Sequence, residues 1–390
     1  MIHQFGFVSE ETFAEKMDTQ NRFLAALVTA QGGALKPTSW AEIQALVRAG
    51  LHKNVFSIGD QLVCSKGEGT LTWDVIGIDH DTPTDSQFTH SMTLQLHDCL
   101  PSAMQFDASE ALYYAENGLV AGTYNFTIQS GYDETYGGGK TYQFTLENAI
   151  TDDAPYQLTF GWAYNTQAAN AKITIYDKDG NQVGEPIGVT EGSSGTSLGT
   201  TDGTSTNLNH IHRVRFGSNN YGESAIRQFI NSSANAGNVW TPQTKFDRPP
   251  TWASNTAGFM SDIDSDFLAV IGKIRKVTAL NTVTDGGGSV TLDDKFFLLS
   301  RSEVYGSLEN NIDEGSPYPY YSNYSDLSAA GTGDDSNRIK YKSDTAQMWW
   351  LRSPNSARGS DVRNVGTSGS VYNNLTANNS LGIAPTCNII

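Results

Sequence analysis

The stretch Trp349-Trp350-Leu351-Arg352-Ser353-Pro354, then a Ser/Asn/Gly-rich passage, then Gly382-Ile383-Ala384-Pro385-Thr386-Cys387-Asn388-Ile389-Ile390, decides how this chain is read. An aromatic pair, a small-polar segment and a closing apolar run predict a rigid floor, an exposed loop and a return strand. Adjacent residues of a strand point to opposite faces, so one tryptophan is expected in the core and the other beneath the loop. Arg352 is expected to brace backbone carbonyls. From Asn355 to Ser380 the residue types are those of turns and of adaptable contact surfaces, with Tyr giving amphipathic area and Asn and Ser giving hydrogen bonds. Arg358, Asp361, Arg363, Tyr372, Asn373, Asn374 and Asn378 are the candidate ligand-binding residues on that loop.

Composition sets the class. The chain has 390 residues, enough for two or three compact units with apolar cores. A formal net charge of −17, with no Lys/Arg cluster, argues against a nucleic-acid partner, whose binders carry basic footprints. No apolar run reaches membrane-spanning length, and Met1-Ile2-His3-Gln4-Phe5 does not open a secretion signal, so synthesis in the cytosol without membrane insertion is expected. With 38 Gly, 17 Tyr and only 17% charged residues, the chain reads as β-rich and loop-rich with a neutral polar surface. Cys64, Cys99 and Cys387 are too few and too scattered for a disulfide framework or zinc knuckle and read as structural thiols.

Four segments follow from patterning. Residues 1–54 read as a helical attachment module: Phe13, Met17, Leu24, Leu27 and Val28 have helical spacing, and a second helix starts at Ser39 with Glu42 completing a capping box and ends at Gly50. Residues 55–117 open a core with a hairpin around Lys66-Gly67-Glu68-Gly69; 94–114 is predicted mostly helical, interrupted by Pro101. Residues 118–203 alternate apolar and polar residues in short runs such as Gly122 to Ile128 and Lys172 to Tyr176, which predicts an inserted antiparallel β-sandwich. Residues 204–390 resume the core, with helices at Ala225 to Ile230 and around Phe267 to Ile271.

Constellations that would carry chemistry are incomplete. His210 and His212 share one strand face but lack a third ligand. Asp177-Lys178-Asp179-Gly180-Asn181 begins like a calcium loop, yet Gly188 stands where the bidentate Glu is needed, so a hairpin turn is expected. Asp262, Asp264 and Asp266 fit a helix start, where carboxylates cap free N–H groups. Asp285 and Gly286 to Gly288 fit a hairpin connection, not a phosphate loop. There is no Gly-x-Ser-x-Gly elbow. No catalytic residue, metal or cofactor is expected, and the chain is read as a non-enzyme.

Three motifs in order carry a resemblance: SNNYGESAIRQFINS at 218–232, DKFFLLSRSEV at 294–304, and the pair WWLRSP and GIAPTCNII at 349–354 and 382–390. Over roughly residues 55–390 the chain resembles a domain of unknown function found in phages and prophages of gut Firmicutes. It is also similar at its end to the variable receptor-binding proteins of diversity-generating retroelements. Ala384 departs from the family, which commonly carries Arg there, removing a charge that would brace the last strand. The resemblance implies an α+β, β-rich fold with a C-type-lectin-like core. It implies a virion protein that adheres to a host cell-surface receptor, glycan or protein, through the C-terminal loop. Homo-oligomeric display is expected, with other virion proteins held through the N-terminal module. Two alternatives stay open: the 355–380 segment as an ordinary exposed loop, and the protein as a non-adhesive structural or decoration component of the virion. The lectin-like fold also hosts formylglycine-generating enzymes, but no cysteine here sits in a matching motif.

Overall fold

A computed structural model describes residues 37–108, 217–244, 247–282, 285–321 and 336–390, and between them 112–114, 120–129, 141–149, 156–158, 172–190 and 197–198. The helix predicted within 9–30 and the His210/His212 pair lie outside the described residues. Helix α1 (Trp40–Arg48) starts as expected: Ser39 Oγ accepts the Glu42 N–H and Glu42 Oε2 accepts the Ser39 N–H, the reciprocal capping box. Its buried face is Ile43, Leu46 and Val47. Gly50 follows at φ +66°, and a Cβ there would lie 2.7 Å from His90 Nε2, so glycine is required for both conformation and space.

Strands β1 (Gln61–Lys66) and β2 (Gly69–Ile78) form the expected hairpin, turning at Gly67. The helix predicted after Leu94 is absent. Instead β3 (Met92–Leu96), β4 (Met104–Gln105) and β5 (Leu112–Tyr114) are strands. All five β3 residues are buried. A strand covered on both faces loses the apolar/polar alternation that separates strand from helix in sequence, and its polar members find distant partners for their oxygens. Thr93 Oγ1 bonds Asp81 and Asn388, and Gln95 accepts the Tyr321 hydroxyl.

Next come β6 (Gly122–Gln129), β7 (Thr141–Leu146), β8 (Tyr156–Leu158), β9 (Lys172–Tyr176), β10 (Gln182–Thr190) and β11 (Ser197–Leu198). Among the described residues, β5 to β11 pair only with one another, in a sheet ordered β11-β10-β9-β6-β7 and a β5-β8 pair. Asp177 to Asn181 is the turn of the β9–β10 hairpin: Asp177 Oδ1 accepts the N–H groups of Asp179 and Asn181. The chain leaves for this segment and returns from it at one point. Asp107 accepts the Ser218 N–H (3.0 Å) and the Ala225 N–H (3.4 Å), and a Cβ on Gly217, at φ +88°, would fall 2.9 Å from the Asp107 carbonyl.

The remainder runs α2 (Ala225–Ile230), α3 (Ser265–Val270), β12 (Ile271–Gly272), β13 (Ile274–Ala279), β14 (Ser289–Asp294), β15 (Phe296–Phe297), α4 (Arg301–Tyr305), β16 (Lys340–Lys342), β17 (Thr345–Gln347), β18 (Trp349–Pro354), β19 (Asp361–Val365), β20 (Val371–Thr376), β21 (Ser380–Leu381) and β22 (Thr386–Ile389). Asp264 caps α3 by accepting the Asp266 N–H, as its acidic start implied. The three-glycine run lies in the β13–β14 connection at positive φ.

The main sheet is antiparallel, ordered β1-β2-β3-β22-β12 with β15 also on β22. Strands separated by almost 300 residues, β3 and β22, are thus direct neighbours. Among the described residues, two apolar clusters form the core around this sheet. Strand alternation sends adjacent residues to different clusters: Val75, Phe296 and Trp350 to one, Ile76, Phe297 and Trp349 to the other. The architecture is α+β and β-rich.

Candidate functional site

Residues 355–380 do not form one exposed loop. β18, β19 and β20 make a three-stranded antiparallel sheet in that order. Every residue of β18 and β19 is buried. Both tryptophans are core residues with no exposed surface; the Trp349 indole N–H donates to the Arg338 carbonyl and the Trp350 N–H to the Met104 carbonyl, each at 2.9 Å. The expectation that one ring would underlie an exposed loop is corrected: the residues above it are themselves strands.

The polar candidates fall in different places. Arg363 reaches Glu309 with Nε at 2.8 Å and Nη2 at 3.0 Å, a bidentate pair with both side chains nearly buried. Arg358 Nη1 meets Asp361 Oδ2 at 2.9 Å, and the Asp361 side chain is fully buried. Burial pushes the Asp361 carboxyl up to about 6, against the pull of Arg358 and Arg363. Burial also raises Glu309, but Arg363 and the Ser356 N–H and hydroxyl outweigh it and hold the carboxyl below its ordinary range. Arg358, Asp361 and Arg363 therefore fasten the sheet instead of facing outward, which corrects their placement on an exposed loop. Asn378 is half-buried; its Oδ1 accepts the Thr376 hydroxyl and its carbonyl accepts Gln105 Nε2. Tyr372, Asn373 and Asn374 lie in β20, with side chains outside the described residues. Among the described side chains of this region, the exposed ones are small: Ala357, Thr367, Ser368, Asn379 and Ser380. Asn219 of the SNNY motif ties it down from behind, donating to the Arg358 and Asp361 carbonyls at 2.8 and 2.9 Å.

Sequence reasoning missed a second region, on the far side of β18. Arg352 does brace carbonyls, those of Val277, Leu298 and Glu314, but it also forms a bidentate pair with the buried Glu303. Glu303 is the capping residue of α4, bonded to the Ser300 N–H at 2.8 Å, and it accepts Lys276 Nζ at 2.9 Å. Lys276 Nζ also bonds Asp81 and the Tyr318 hydroxyl. Asp81 in turn accepts from Tyr318, Thr93 and Asn388. Glu314 accepts the Ala279 N–H and the Ser353 hydroxyl.

Burial disfavours ionised carboxyls throughout this network, and the neighbours decide each outcome. At Asp81, Lys276 and the hydroxyl donors overcome burial and bring the carboxyl down to about 2. At Glu303, Arg352 and Lys276 overcome it as well, and the shift is downward. At Glu314 burial wins over Arg352 and Ser353, and the carboxyl rises to about 7. The network forms one wall of a cavity between the β2–β3 connection, β13 and the segment after α4. Only the Ser300/Glu303 capping box was readable from sequence; Lys276 and Asp81 are 195 positions apart with no spacing rule to link them.

Among the described residues, the remaining titratable groups offer no assembled centre. His52 is buried and faces Asp79 at 3.3 Å, which also meets His90 at 3.0 Å. Burial pushes the Cys64 and Cys99 thiols up to about 11 and about 12, and raises Cys387 further. Among the described residues, no group of three or more His, Cys, Asp or Glu is placed to hold a metal ion.

The profile of a family described as a domain of unknown function, DUF6273, matches residues 196–390, half of the chain. It takes in β12 to β22, Arg352 and the carboxylates it holds. No curated protein and no solved structure matches the chain.

Proposed function

The chain belongs to the DUF6273 family, and from that premise we propose that it is a non-catalytic recognition protein of a phage virion, adhering to a host-surface glycan or protein through its C-terminal half. The carrying observation is the way β18 to β20 are fixed from beneath by buried bidentate ion pairs while their turns present small polar residues. Fixing a surface before contact lowers the entropy lost on binding. The lectin-like reading of the core rests on the three sequence motifs and on their order. The described thiols support a role other than catalysis, because a nucleophilic cysteine needs a lowered, not a raised, pKa. Residues 118–203 are read as an inserted β-sandwich, supported by the pairing of β5 to β11 only with one another among the described residues and by the approach of Asp107 to Gly217 on either side of them. Residues 1–54 are read as the attachment end, and display in several copies would multiply weak single contacts.

The test is binding of the labelled full-length protein to intact host cells. Saturable binding is expected, lost in a Thr367→Ala/Ser368→Ala/Asn379→Ala triple variant whose thermal melting is unchanged. A wild-type protein that ignores host cells, yet incorporates into particles, would hand the protein to the structural or decoration reading.

A further inference from the structure

The cavity beside β13 measures about 260 Å³ and opens to solvent. We propose that it is a binding site for a neutral, hydroxyl-rich ligand the size of a single sugar ring. This reading stands apart from adhesion, because it rests on the cavity alone and not on the C-terminal turns.

The buried wall selects against ions. Lys276 uses its three N–H donors on Asp81, Glu303 and Tyr318, and Arg352 is committed to Glu303 and to backbone carbonyls. A charged ligand seated against this wall would give up hydration without finding an uncompensated partner in it, and the exposed, hydrated Asp313 carboxylate at the mouth repays little of that cost. Burial raises the Glu314 carboxyl to about 7, so near neutral pH the charge it adds to that wall is only partial.

The rim selects for hydroxyls. Thr82 and Ser316 are exposed and present hydroxyl groups, and Asp313 uses Oδ1 on the Gly315 N–H at 2.9 Å, leaving Oδ2 without a hydrogen-bond partner among the described residues. Arg275, exposed and paired with Asp293, adds donors at the same mouth. Donors and acceptors interleaved around one opening match a group that both donates and accepts, and a hydroxyl does both from a single rotatable atom.

Shape and stiffness agree with this. The volume falls just below the roughly 300–1,000 Å³ of pockets that take drug-sized molecules, which leaves room for one ring. The His80 ring lies 4.2 Å from Tyr318, and His80 Nε2 meets the Ser316 carbonyl at 3.1 Å, so this side of the cavity is fixed. Gly315, at φ +130°, lets the backbone close over Glu303; a Cβ there would stand 2.9 Å from its Oε1.

Calorimetric titration of the full chain with glucose, galactose, rhamnose and N-acetylglucosamine, beside glucuronate and glucosamine, tests the assignment. At least one neutral sugar is expected to bind with Kd of about 1 mM or tighter, its charged relatives at least about tenfold more weakly. Thr82→Trp, which fills the mouth, should abolish binding, and Asp313→Ala should weaken it about tenfold, with melting curves that confirm both variants are folded. Failure of every neutral sugar to bind the wild type overturns the proposal. So does tighter binding of a charged analogue, or binding that survives unchanged in both folded variants. Cell binding that persists while sugar binding fails would remove the cavity and leave adhesion standing.

Discussion

The buried network behind the cavity and the C-terminal sheet share strand β18 yet hold their charges at different depths. Arg352, with no exposed surface, sits among Glu303 and three backbone carbonyls, whereas the Arg358 side chain keeps 29% of its surface and reaches one carboxylate. The lesson lies in what each arginine would leave behind. Behind Arg352 is a carboxylate with almost no exposed surface; near Arg358 solvent and Arg363 remain to moderate the loss. The deep network fixes the frame, and the shallow one fixes the surface carried on it.

Removing the deep arginine gives the largest expected effect. Arg352→Leu strands Glu303 beside a single remaining cation and should cost about 3–5 kcal/mol, measured by urea denaturation. Arg358→Leu, in the same assay, should cost clearly less; equal losses would erase the difference between the two regions. Trp350→Ala tests the packing between them. Its ring is fully buried and its N–H bonds the Met104 carbonyl, so a loss of about 3–5 kcal/mol is expected.

Stability against pH sharpens the comparison. Glu314 has a folded pKa of about 7, above its ordinary value, so the folded state holds a proton that the unfolded chain releases. Its contribution is fully present below the ordinary carboxyl range and is lost as pH rises to about 7. Asp81 and Glu303 are shifted down and act oppositely, their stabilisation disappearing only as pH falls below the ordinary carboxyl range, for Asp81 toward about 2. Melting temperature should therefore peak on the acidic side of neutrality. Glu314→Gln should flatten the decline above the peak and recover up to about 3 kcal/mol at pH 8. The smallest effect belongs to the turns. Thr367→Ala and Ser368→Ala are exposed changes and should shift stability by no more than about 0.5 kcal/mol in either direction.

Local signals were legible. The Ser39/Glu42 box, the Lys66 to Gly69 turn, the α2 and α3 helices, the Asp177 turn and the Asp264 cap all depend on residues within a few positions of one another, where turn and capping chemistry acts. β3 was misread because Thr93 and Gln95 look like breaks in an apolar strand until Asp81, Asn388 and Tyr321 come to meet them. The 355–380 segment was misread for a related reason. Arg363 and Asp361 look like surface residues until Glu309 and Arg358 neutralise them.

By itself the sequence determined the β-rich class, the turns, the caps and the two runs, 349–354 and 382–390, that close the core, because each follows from backbone preference and strand alternation. Only the tertiary structure decided which charges are buried and which residues form a site. A buried charge is stable only beside its partner, and the partners Lys276 and Asp81, or Arg363 and Glu309, are set by how sheets stack and strands pair across long stretches of chain.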